Sequence, residues 1–140
     1  MELIDKFFLR SSGEKKFQPS TVVERRVFAA IDVFLRHQWF KTHFYKMQRE
    51  EKQEILLALH NADISQSESN NTFYEYAFDK KQVQPCNTNV LRAHFYISVL
   101  LQKNWFKDHL FGITPEEKDD LLLELQKADI LATERHAQAH

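Results

Sequence analysis

Residues 17–64 lie over residues 83–130 at a constant offset of 66, without a gap and with nineteen identical pairs among 48. The identities include Arg26/Arg92, Trp39/Trp105, Phe40/Phe106, Lys41/Lys107, His43/His109, Leu57/Leu123, Asp63/Asp129 and Ile64/Ile130. An ungapped match of that length makes each copy one structural unit, so a tandem duplication of a roughly 66-residue unit is the first constraint on the fold. A single copy would bury too small a share of its surface to be more than marginal alone. Residues 1–66 and 67–132 are therefore expected to form two units of one globular domain, with 133–140 as a frayed tail. Two repeats stacked as a solenoid would leave faces without neighbours. A closed pair about a pseudo-two-fold axis, like a homodimer fused into one chain, is expected instead.

The fold class follows from periodicity. Gln-Pro opens both copies, and Thr21 and Asn87 stand two residues later as N-caps, Thr21 completing a capping box with Glu24. Val27, Ile31, Phe34 and Leu35 recur as Ala93, Ile97, Leu100 and Leu101, the spacing of an amphipathic helix over about 22–37 and 88–103. A second helix is expected over about 49–61 and 115–128, where Thr114 caps, Pro115 takes the first position and Glu117 completes a box. Its inward face is Ile55, Leu56, Leu59 and Ala62, answered by Leu121, Leu122, Leu125 and Ala128. Glu50, Glu51, Glu116 and Glu117 fall in its first turn, where the positive end of the helix dipole favours acids. Twelve Phe and only two Gly disfavour turn-rich sandwiches and glycine-rich phosphate loops, so the chain reads as all-α. Leu3, Ile4, Phe7 and Phe8, and again Phe73, Tyr74, Ala77 and Phe78, suit a short helix upstream of each copy, the first ended by Gly13. Whether 1–10 and 73–81 are helix or strand stays open, a short strand being an alternative at 73–78. Ser65 to Thr72 reads as the linker.

Between the two helices each copy carries Trp-Phe-Lys-x-His, as Trp39, Phe40, Lys41 and His43, then Trp105, Phe106, Lys107 and His109. One reading is a corner whose aromatics close the core while Lys and His meet helix-end carbonyls. The other is a partner-binding anchor of aromatic surface and cationic tips. The copies diverge here in charge. From 36 to 49 the first carries Arg36, Lys41, Lys46 and Arg49 with His37 and His43 and no acid, whereas 102–115 keeps Lys103 and Lys107 and adds Asp108. The second copy's long helix is acidic through Glu116, Glu117, Asp119, Asp120 and Glu124.

Functional classes narrow accordingly. A net charge of −1 exerts no global pull on nucleic acid or an anionic surface. A lone Cys86, no secretory-signal pattern and no apolar run of about 20 residues point to a cytoplasmic chain without membrane contact. Cys86 before a helix could be activated, but small-residue packing explains it equally, Ser20 being its counterpart. The His residues sit in no metal-ligand spacing, so neither metal nor cofactor is expected. The expectation is a non-enzymatic interaction module, an adaptor, inhibitor or regulatory subunit, binding a protein partner. Its candidate contacts are Arg36, Trp39, Lys41, His43, Lys46, Arg49, Lys107 and His109, together with the acidic helix. The alternative is a small nucleic-acid-binding regulator using 36–49.

Overall fold

The computed structural model describes residues 2–12, 21–66 and 88–138, and among them the protein is all-helical. The elements are α1 (Leu3–Ser12), α2 (Val22–Leu35), α3 (Gln38–Lys46), α4 (Arg49–Gln66), α5 (Thr88–Leu100), α6 (Asn104–Gly112) and α7 (Pro115–Gln138). The upstream segment of the first copy is thus a helix. Gly13, Cys86, the Asn87 cap, the bulk of the expected linker and the helix-or-strand question at 73–81 lie outside the described residues.

Local chemistry sets the starts of α2 and α7. Thr21 Oγ1 accepts the Glu24 N–H at 3.1 Å while Thr21 N–H donates to Glu24 Oε1 at 3.1 Å. The same box opens α7: the Glu117 N–H donates to Thr114 Oγ1 at 3.1 Å and the Thr114 N–H to Glu117 Oε1 at 3.3 Å. Two expectations need correction. The stretch read as a corner between the helices is itself helical in both copies, as the nine-residue α3 and α6. Neither cap residue, His37 or Lys103, makes a side-chain capping bond, so the usual sign of a helix start is missing there. The long helices also run further than their clearest periodicity, α4 to Gln66 and α7 to Gln138, through part of what the sequence suggested was a frayed tail. Buried Asp129 and Ala132 keep that end of α7 docked.

The packing is crosswise. α2 packs chiefly against α7 and α5 chiefly against α4, while α1 lies on α4. The first amphipathic helix of each copy therefore covers its apolar stripe mainly with the long helix of the other. Val27, Ile31 and Phe34 on α2, Ile97 and Leu100 on α5, Leu56 and Leu59 on α4, and Leu122 and Leu125 on α7 join one buried cluster. α1 is fixed by Ile4 N–H donating to Gln53 Oε1 at 2.9 Å and by Lys6 Nζ reaching Glu24 at 2.8 Å.

Two ion pairs border this core, one buried and one half-buried. Arg26 holds Asp63 through two hydrogen bonds of 2.9 and 2.8 Å, and Arg92 holds Asp129 through two of 2.7 Å. Each joins the first amphipathic helix of a copy to the long helix of the same copy, across the same 37-residue separation. Tyr96 on α5 then donates its hydroxyl to Asp63 on α4 at 2.6 Å, tying one copy's pair to the other copy's helix. Bidentate Arg–carboxylate geometry gives these buried charges the partners their desolvation demands.

Because the core is shared, Phe40→Ala and Phe106→Ala are each expected to cost about 3–5 kcal/mol, the range for a fully buried Phe. Denaturant unfolding of either variant should stay a single transition followed identically by circular dichroism and tryptophan fluorescence. Thr114→Ala should cost about 0.5–2 kcal/mol through loss of the cap.

Candidate functional site

α3 and α6 bring the repeated Trp-Phe-Lys-x-His stretches against each other. In both helices Phe40/Phe44 and Phe106/Leu110 lie one turn apart and point into the core, fully buried. The neighbouring Trp39 and Trp105 are half-buried and face across to the opposite helix. Trp39 stacks on His109 with ring centroids 4.0 Å apart and 19° between planes, and His43 stacks on Trp105 at 4.6 Å and 9°. Phe40 meets Trp105 at 5.5 Å, and Trp39 meets Phe106 at 5.5 Å. The cluster is closed by Trp39 against Trp105 at 6.5 Å and Phe40 against Phe106 at 6.4 Å. Aromatic pairs in such arrangements contribute roughly 0.5–1.5 kcal/mol beyond their buried area. Both His rings stand in the last helical turn. Burial lowers the His109 pKa from its usual value, Glu117 opposes this, and His37 and His43 add to the lowering. Trp39 and Trp105 thus each give one ring face to the His of the opposite helix.

The candidate cations fare differently from one another. Arg36 ends α2 and reaches Glu124 of α7 at 3.8 Å, with His37 3.3 Å from the same carboxylate. Arg49 opens α4 and binds Glu2 at 2.6 Å and Asp5 of α1 at 2.7 Å. The hydrogen bond and charge of Arg49 hold the Asp5 carboxyl below its usual range. The stretch that carries no acid in sequence therefore receives acids from α1 and α7 in space. Lys41, Lys46 and Lys107 are exposed, and none forms an ion pair among the described residues. Lys52 Nζ lies 5.8, 5.7 and 5.7 Å from the ring centres of Phe8, Phe44 and Tyr45, a cation held over an aromatic surface. At the matched position Lys118 lies 5.5 Å from Phe111. On α7, Glu116, Glu117, Asp119 and Asp120 are all exposed. Among the described residues no cluster of His, Cys, Asp or Glu has the geometry to hold a metal ion, and no helix is long and apolar enough to cross a membrane.

A surface feature that periodicity alone did not single out is apolar. Leu57 is 46% exposed and its counterpart Leu123 49%, and Tyr45 at 49% is matched by Phe111 at 48%. Ile64 and Ile130 form another exposed pair, and Leu131 extends the set on α7. Leu57 and Ile64 are seven residues apart on α4, as are Leu123 and Ile130 on α7, so each pair makes an outward stripe opposite the buried face. The signal was present in the repeat: Leu57/Leu123 and Ile64/Ile130 are identical pairs that fall off the inward-facing register.

Buried His94 supplies a pH dependence. Burial lowers its pKa from 6.5 to about 4, and it stands where the first copy has Phe28. A base whose folded pKa is depressed makes the unfolded chain bind more protons below pH 6.5, so its stability contribution is complete above 6.5 and is lost as pH falls towards about 4. Chemical denaturation should show about 2 kcal/mol less stability at pH ~5 than at pH ~7.5 from this group. His94→Phe should flatten that difference, and an unchanged acid limb in the variant would assign it elsewhere. Comparison of the chain with protein-family models, with curated proteins and with solved structures finds no match.

Proposed function

We propose that this protein is a non-enzymatic, cytoplasmic interaction module, an adaptor, inhibitor or regulatory subunit, built as a duplicated helical unit closed about a pseudo-two-fold axis. Reciprocal contacts support the closure: the Trp39–His109 and His43–Trp105 stacks exchange roles under the offset of 66, as do the Phe40–Trp105 and Trp39–Phe106 contacts. Such exchange is what an isologous interface produces. The observation that carries the functional reading is the set of large apolar side chains exposed at matched positions, Tyr45/Phe111, Leu57/Leu123 and Ile64/Ile130. Apolar residues aligned along a helix and rimmed by charge favour a partner that removes them from water. The stripes on α4 and α7 carry the main contact surface in this reading, with Trp39, His43 and His109, each stacked on one face across the two helices, beside it. Lys41, Lys46 and Lys107 remain as cationic rim contacts.

The second reading, a nucleic-acid-binding regulator, draws on Lys41, Lys46 and Lys52 beside Tyr45 and Phe8. It is weakened by the intramolecular acids that meet Arg36 and Arg49. Affinity capture from the native host, with and without nuclease, separates the two. Leu57→Ser combined with Leu123→Ser should abolish retention of protein partners while changing stability by no more than about 1 kcal/mol per site. Nuclease-sensitive binding that falls steeply with salt and disappears in Lys41→Glu/Lys46→Glu would instead establish the nucleic-acid reading.

A further inference from the structure

The two outward long-helix faces differ in charge. On α7, Leu123, Lys127, Ile130 and Glu134 share a face with Glu116, Asp119 and Asp120, and Leu131 stands at its edge. Lys127 is the lone cation on it among these residues. The α4 face has Glu50, Glu54, Leu57, Asn61 and Ile64, with Gln53, which accepts the Ile4 N–H, where α7 has Asp119. α7 therefore carries the more strongly acidic apolar stripe. A surface of opposite character lies where α1, α3 and α4 meet. Phe8 and Tyr45 are exposed there, Lys52 lies over both rings, Lys41 precedes Tyr45 by one turn, and Lys46 follows it. The second copy lacks this surface in full, since Lys46 is matched by Gly112 and Thr42 by Asp108.

We propose that the acidic apolar face of α7 docks on the basic aromatic patch of α1, α3 and α4 of a second copy of the chain, giving head-to-tail association. The proposal rests on the interaction-module reading and names one partner for the α7 stripe. Both halves of the contact pair apolar side chains with charges of opposite sign, the arrangement that fixes register and speeds encounter. The net charge of −1 leaves no overall repulsion between copies. An anionic membrane surface is a poor occupant for the same stripe, because Glu116, Asp119, Asp120 and Glu134 would face it with like charge. Two different surfaces meeting in this way form a heterologous contact, which continues into chains or closes into rings and does not stop at a two-fold dimer. The contact involves a handful of side chains on each surface, so weak association is expected, with a dissociation constant on the order of 10–100 µM.

Sedimentation of the intact protein from about 5 to 500 µM at ~50 mM salt tests this. The weight-average mass should rise past that of a dimer, and raising salt to ~500 mM should weaken association by roughly tenfold. Lys41→Ser/Tyr45→Ser/Lys46→Ser should leave a folded monomer, and so should Leu123→Ser/Ile130→Ser, with circular dichroism and thermal midpoints close to those of the parent. Mixed in equal amounts, the two variants should recover a heterodimer that grows no further, because each retains one intact half of the contact. A parent that stays monomeric throughout overturns the proposal and leaves the capture of other partners to be judged on its own experiment. Association that ends at a symmetric dimer, or that survives either set of substitutions, overturns it as well.

Discussion

The first amphipathic helix of each copy finds its main apolar cover on the long helix of the other copy, and most of the architecture depends on that exchange. With α2 laid chiefly on α7 and α5 chiefly on α4, each half buries the larger part of the other's stripe. Burial of apolar area is the dominant favourable contribution to folding, so the two halves are stabilised jointly. The short helices α3 and α6 complete the arrangement from one end, where Phe34, Phe40 and Phe106 bring their rings to within 5.0 to 6.4 Å of one another. Stacking of each His on the opposite Trp adds reciprocal contacts between the two helices.

Polar contacts add a second kind of constraint. Arg26–Asp63 and Arg92–Asp129 are each fully formed bidentate pairs within a copy, and the Tyr96 hydroxyl extends the first of them across to the other copy. Burial raises the Asp129 carboxyl above its usual range even though Arg92 and Arg26 oppose the shift, which marks how little water reaches this end of α7. Such pairs add modestly to net stability, since desolvation offsets most of their attraction, but an alternative packing would leave the buried Asp63, Arg92 and Asp129 without partners. They therefore act mainly by excluding other helix registers.

At the surface, tertiary structure redistributes charge. The arginines at 36 and 49 that look unopposed along the chain are met by Glu124, Glu2 and Asp5, leaving Lys41 and Lys46 as the outward cations of that corner. Exposed ion pairs contribute little to folding. Their consequence is that the arginines meet acids within the chain, whereas Lys41, Lys46, the exposed aromatics and the outward stripes of α4 and α7 face solvent. A partner recognising such a surface would gain most from covering Leu57, Leu123 and Leu131, with charge deciding its orientation.

Much was legible from residue order, because caps and apolar periodicity act over one or two turns. Thr21 with Glu24, Thr114 with Glu117, and the stripes through Ile31 and Ile97 determine where α2, α5 and α7 lie and which faces they bury. The repeat made the matched helices visible twice. The helical state of 38–46 and 104–112 was not legible in the same way, since these nine-residue helices have no side-chain cap and depend on contacts across the molecule. Nor could residue order show that Arg26 would find Asp63, although an Arg and an Asp recur at the same 37-residue separation in both copies. The sequence by itself determined an all-helical chain of two like segments. Only the tertiary structure decided which helix covers which, which cations meet acids and which leucines stay in water, because those depend on distances between elements that no local pattern encodes.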